Sequence, residues 1–284
     1  MRLAGWTYSY EKMPLEESLA HMAAVGFDGV ELATGDAYST PIETLDERRV
    51  DEVKLLLDQH RLWPVAVSAL WRLATPSEAE WELEWAKWRR SIRVARQLGA
   101  PFVACGSGQA PEGWPRERIW STVRRNAHRV AEYAAEHGIV VAIEAHWGAA
   151  VERPGDVLEL IGAVGLPSLR VNLDICHPFA LGYDLESVAA ILGPQTVYAH
   201  VCDVRGRHPG GPPPAGHQLV NPGEGEIDWT RWLGLLHAQG HYGWITTQIS
   251  VMRRAWPGYD PKAAMERIYA VLTEAMARAG VPRV

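Results

Sequence analysis

The chain has few cysteines, no surplus of positive charge and no long apolar run, and each shortage excludes a class of protein. Only Cys105, Cys176 and Cys202 occur among 284 residues, far apart and without C-x-x-C spacing. That excludes a disulfide framework and fits a reducing compartment. The net charge of −6 at pH 7 offers no general basic surface for nucleic acid. No apolar stretch approaches the roughly 20 residues of a membrane span, and the opening MRLAGWTYSYEKMP has no apolar core of signal-peptide length. The expectation is a soluble cytoplasmic protein that binds neither nucleic acid nor membrane.

What is present is a regular alternation. Short apolar runs recur at LAGWTY (3–8), GVELAT (29–34), PVAVSAL (64–70), PFVACG (101–106), IVVAIEAH (139–146), LRVNLDICH (169–177), TVYAHVCD (196–203) and GWITTQIS (243–250). The stretches between them carry helix signals. Pro14 and Pro115 open helices, and Gly26 and Gly138 close them. Thr44 with Glu47, and Ser77 with Glu80, have capping-box spacing. Asp228 and Asp260-Pro261 start the last two helices. Trp81, Trp85, Trp88, Ile92 and Ala95 fall on one helical face, the pattern of core packing rather than a ligand stack. Eight strand–helix repeats in this length predict an α/β fold, a (β/α)8 TIM barrel, with residues 1–284 as one domain. A doubly wound sheet is the alternative, but WTYSYEKMP lacks the glycine-rich turn such a sheet carries after its first strand. The GSG at 106–108 runs on into a Pro/Gly loop and is weak support for a phosphate cradle. The Pro/Gly-rich stretch 205–225 follows the seventh strand, where barrel loops commonly serve as lids.

In a barrel the C-terminal strand ends share one mouth. Those ends read Glu31, Glu144 with His146, Asp174 with His177, His200 with Asp203, and Gln248. The strand period of 2 points Glu144 and His146 to one side. Several carboxylates at one mouth are costly to bury unless a cation compensates them. Glu144, Asp174, His200 and Gln248 offer oxygen, oxygen, nitrogen and oxygen, a set suited to Mn²⁺, Mg²⁺, Co²⁺ or Zn²⁺. Cys202 is read as a packing residue. A hydrogen bond from His146 to Glu144 competes with an acid/base role for His146. Trp6 and Trp147, beside two of these ends, join the substrate-binding set because exposed tryptophan faces stack on sugar rings.

At AIEAH, VNLDICHPFALGYD, AHVCDVRG, PGEGEIDW and HYGW the sequence resembles the xylose isomerase-like barrels of the sugar phosphate isomerase/epimerase superfamily. The resemblance runs nearly end to end. It implies one divalent metal, Mn²⁺ ahead of Mg²⁺, Co²⁺ and Zn²⁺, held by Glu144, Asp174 and His200. It also implies substrate contacts from His177 and Arg205, to which Glu31 is added from its strand end. The fourth ligand departs from the pattern: Gln248 stands where a second glutamate is usual. Glutamine coordinates through its carbonyl oxygen but accepts no proton.

The expected activity is metal-dependent isomerisation or epimerisation of a sugar or keto sugar, with Glu144 or His146 as the base. A lyase on the same scaffold, of the inosose dehydratase, dehydroshikimate dehydratase or C-glycoside-cleaving type, is the alternative. An endonuclease of abasic sites would need more ligands and a less acidic chain. A non-catalytic sugar-binding barrel is the remaining reading. The expected partner is a small carbohydrate, and homo-oligomerisation stays open.

Overall fold

A computed structural model describes residues 1–209 and 218–284. Eight parallel strands close into a barrel: β1 (Arg2–Trp6), β2 (Gly29–Ala33), β3 (Trp63–Ala69), β4 (Phe102–Cys105), β5 (Val140–Glu144), β6 (Leu169–Asn172), β7 (Thr196–Val201) and β10 (Trp244–Thr247). Closure comes from β1 pairing with β10, with Arg2 opposite Trp244 and Gly5 opposite Thr247. Helices α1 (Leu15–Val25), α2 (Glu47–His60), α3 (Glu78–Leu98), α4 (Arg116–Glu136), α5 (Pro154–Val164), α7 (Leu185–Leu192), α8 (Trp229–Ala238) and α10 (Pro261–Arg278) connect the strands. The short helices α6 (Cys176–Ala180) and α9 (Val251–Arg254) lie at the mouth, where β8 (Asp203–Val204) and β9 (Leu219–Val220) form a two-stranded antiparallel ribbon.

The apolar runs form strands because both faces are covered. Strand β5, for example, packs inward through Ala142, in a small interior cluster that also holds Ala4, Ala66, Ala104 and Tyr198, and outward into the layer beneath the helices. The tryptophan face of α3 is buried as its spacing predicted, with Trp88 fully enclosed. The helix caps hold with one correction. Ser77 accepts from the Glu80 amide, and Asp228 and Asp260 cap α8 and α10. The cap of α2, however, is Asp46, which accepts from the Arg49 amide, and not Thr44. Thr44 is taken up by a 3-10 turn at Ile42–Thr44, where its hydroxyl bonds the Pro41 carbonyl.

Each strand also stops sooner than its apolar run. β5 ends at Glu144 and β6 at Asn172, so His146, Asp174 and His177 lie just beyond the strands. The GSG segment is a rim brace: the Ser107 hydroxyl accepts from the Val151 amide, and its carbonyl accepts from the Leu73 amide. The expected lid falls partly on 210–217, outside the described residues. The base of that loop is clamped, as shown below.

Candidate active site

Two buried acidic groups sit at the mouth, and they differ in how they are satisfied. Glu31, on β2, is completely enclosed. Its Oε1 accepts from the Ser68 hydroxyl at 2.8 Å, and its Oε2 accepts from the Tyr198 hydroxyl at 2.5 Å and faces His200 Nε2 at 2.7 Å. The Trp6 indole N–H donates in turn to Ser68 Oγ at 2.5 Å, and its ring stacks on His200 with centroids 4.9 Å apart. Trp6 and Glu31 therefore hold the site's framework. Tyr198 and Ser68 were missed in the sequence, although the strand period places Tyr198 on the same face as His200.

The second group is Glu144, Asp174, His177 and Gln248. Glu144 Oε2 lies 3.4 Å from both His200 Nδ1 and Asn172 Nδ2. His177 Nε2 lies 3.0 Å from Glu144 Oε1, but its N–H is not aimed along a hydrogen bond. Asp174 Oδ1 accepts from the Cys176 amide, whereas Oδ2 has no partner among the described residues. Gln248 Oε1 is likewise buried and unpartnered. Buried polar atoms are rarely left unpaired, and here one oxygen each of Glu144, Asp174 and Gln248 has no partner among the described residues. Glu144, His146 and His177 each offer a ligand atom within 4.8 Å of the others, and so do Asp174, Cys176 and His177. The residues fit a divalent cation. Glu144 and Asp174 each stand in such a grouping with His177, whereas His200, expected from the sequence as a ligand, falls in neither among the described residues.

The electrostatics follow from this packing. Burial raises the Glu144 pKa, but the facing imidazoles of His177 and His200 outweigh it and hold the carboxyl well below its usual range. Asp174 has too few such partners, and burial pushes its pKa up. Burial alone would lower both His177 and His200; the facing carboxylates reverse this, raising His177 and taking His200 to about 10. Asn172 Nδ2 also lies 3.1 Å from His200 Nδ1. His146 goes the other way: burial, then the neighbouring His177, lowers it to about 4. Its Nδ1 lies 2.9 Å from the Trp147 carbonyl, which only accepts, so Nδ1 carries the hydrogen and Nε2 the lone pair. The two imidazoles are 3.9 Å apart between centroids.

A cavity of about 400 Å³ opens onto this group, with His146, Trp147 and Gln248 in its wall. Tyr8 and Trp71 also line it, and neither stood out in the sequence. Arg205 is placed elsewhere. Its Nε donates to the Glu224 carbonyl and its guanidinium packs over Trp256, so the substrate contact expected from its position is not made by this side chain as it stands. Asp203, grouped by sequence with the other strand-end acids, is structural. Its two oxygens accept from the amides of Val204, Gly223, Gly225 and Ile227 and from the Trp229 indole. A Cβ on Gly225 would come within 2.2 Å of Asp203 Oδ1, which explains the glycine in PGEGEIDW.

Comparison with known proteins agrees with this architecture. Fructoselysine 3-epimerase of Shigella flexneri is 21% identical over 282 residues, covering 96% of this chain and 99% of its own length. Inosose isomerase of Halalkalibacterium halodurans is 23% identical over 249 residues, covering 84% of each. The structure of the IOLI protein, solved with a bound zinc atom, matches with a TM-score of 0.81 at 20% identity, covering 99% of this chain and 98% of that one. No helix among the described residues is long and apolar enough to cross a membrane. A family model described as xylose isomerase-like TIM barrel matches residues 19–275, and the chain belongs to that family.

Proposed function

We propose that the protein is a divalent-cation-dependent isomerase or epimerase of a sugar or keto sugar. The observation that carries this reading is the pair of ligand groupings at the mouth, Glu144 with His146 and His177, and Asp174 with Cys176 and His177, together with buried Asp174 Oδ2 and Gln248 Oε1, which have no partner among the described residues. The names of the two curated relatives support the same class of chemistry. Mn²⁺ heads the fitting cations, with Mg²⁺, Co²⁺ and Zn²⁺ also suited to the donors. When bound, such a cation polarises a hydroxyl–carbonyl pair and acidifies the adjacent C–H.

The protein's part is to bind and move a proton. His146, neutral at working pH with its Nε2 lone pair available, takes the proton from carbon. His177, 3.0 Å from Glu144 Oε1, holds an oxygen of the substrate. The two imidazoles lie side by side, with centroids 3.9 Å apart, and Gln248 accepts no proton. Removal and return on one face favour transfer between neighbouring carbons over inversion. Trp147 and Trp6 shape and support the pocket.

The test is proton NMR in D₂O with a panel of aldoses, ketoses and inososes in the presence of Mn²⁺, Mg²⁺, Co²⁺ or Zn²⁺. Deuterium should enter a carbon next to the carbonyl, EDTA should abolish it, and His146→Ala should slow it about a hundredfold or more. Incorporation that survives EDTA, or none with any sugar and cation, would overturn the reading.

A further inference from the structure

The cavity has two kinds of wall: His146 and Gln248 supply polar groups, while Tyr8, Leu70, Trp71, Trp147, Val251 and Met252 supply aromatic and aliphatic surface. Leu70 is 44% exposed and Val251 53% exposed, so both stand at the rim with their side chains facing solvent. No lysine or arginine lines the cavity among the described residues, and the segment 210–217, GGPPPAGH, contains neither. The arginines nearest in sequence to the wall are committed elsewhere. Arg72 pairs with Glu80 and Glu84, and both Arg253 nitrogens bond Glu224. Arg254 donates to the Tyr8 carbonyl and the Tyr38 hydroxyl.

A phosphorylated sugar needs a cation or a nest of amides for its dianion, and this wall supplies no cation. A free hexose presents hydroxyls all round and would leave the aliphatic rim of Leu70, Val251 and Met252 against water or against unmatched hydroxyls. The volume instead falls in the range of about 300–1,000 Å³ typical of drug-sized ligands. We infer that the substrate, on the isomerase/epimerase reading above, is an uncharged glycosyl unit carrying an apolar aryl or alkyl substituent, with the sugar against His146 and Gln248 and the substituent against the Leu70–Trp71–Val251–Met252 wall. Both aromatic and aliphatic side chains are used: the indoles for ring stacking, the aliphatic groups for area removed from water.

The experiment is equilibrium binding, followed by tryptophan fluorescence and calorimetry, with EDTA present so that no turnover is needed. The probes are phenyl β-D-glucopyranoside, methyl β-D-glucopyranoside and glucose 6-phosphate. The phenyl glycoside should bind about tenfold or more tighter than the methyl glycoside, as expected for burying an aromatic ring, and the phosphate should bind weakest. In Leu70→Ser and Val251→Ser, which alter exposed side chains and leave the core intact, the phenyl-over-methyl ratio should fall severalfold. Equal affinity for the two glycosides, no binding of either, tighter binding of the phosphate, or an unchanged ratio in both variants would overturn the inference. Deuterium exchange on unsubstituted sugars could still succeed in that case, so the two readings fail separately.

Discussion

Asp203 and Asp174 are both buried aspartates just beyond a barrel strand, yet they have opposite surroundings. Asp203 accepts five hydrogen bonds and organises residues 223–229 around itself. Asp174 receives one amide and turns its other oxygen toward the mouth unpartnered. A carboxylate whose bonds come from its own chain holds the fold. A carboxylate left short of donors holds a place for something from outside.

The largest effect that would break this contrast is on stability. Asp203→Ala strands four backbone amides and an indole N–H, and should cost roughly 3–5 kcal/mol in urea unfolding; a cost under about 1 kcal/mol would erase the distinction. Asp174→Ala should do the reverse. Stoichiometric metal should vanish from elemental analysis, while the metal-free protein should keep or slightly gain stability at pH 7. The sign follows from its raised pKa: ionisation in the fold costs stability as pH rises above the ordinary carboxylate range, so the variant's advantage should shrink as pH falls. Gln248→Glu sharpens the comparison by adding a third carboxylate. Metal should bind about tenfold tighter, or about 1.4 kcal/mol, and the metal-free protein should unfold more easily; no change in either measurement would place Gln248 outside the site. The smallest effect belongs to Tyr198→Phe, which removes one donor from Glu31 and should cost about 1 kcal/mol in thermal unfolding with metal still bound.

The barrel was legible because eight apolar runs each needed cover on two faces, and a polar residue ending such a run stands out. That signal reached Glu144, Asp174 and His200. It could not separate ligand from scaffold. Glu31 has the same signature, and what makes it structural are Ser68 and Tyr198, distant in sequence and joined to it only by barrel closure. Arg205 rests on the family resemblance alone, since the path of that long loop carries no period, and packing gives the side chain to Glu224 and Trp256. Thr44 lost its cap to Asp46 for a local reason, a competing turn two residues earlier.

The chain of contacts from Trp6 through Ser68 and Glu31 to His200 has one more consequence. Because Glu31 faces Nε2, it fixes the ring with Nδ1 turned inward toward Glu144. The orientation of a ring on β7 is thus partly written on β1, β2 and β3. A change at residue 31 or 68 could leave the barrel intact and still detune the centre by letting that ring turn.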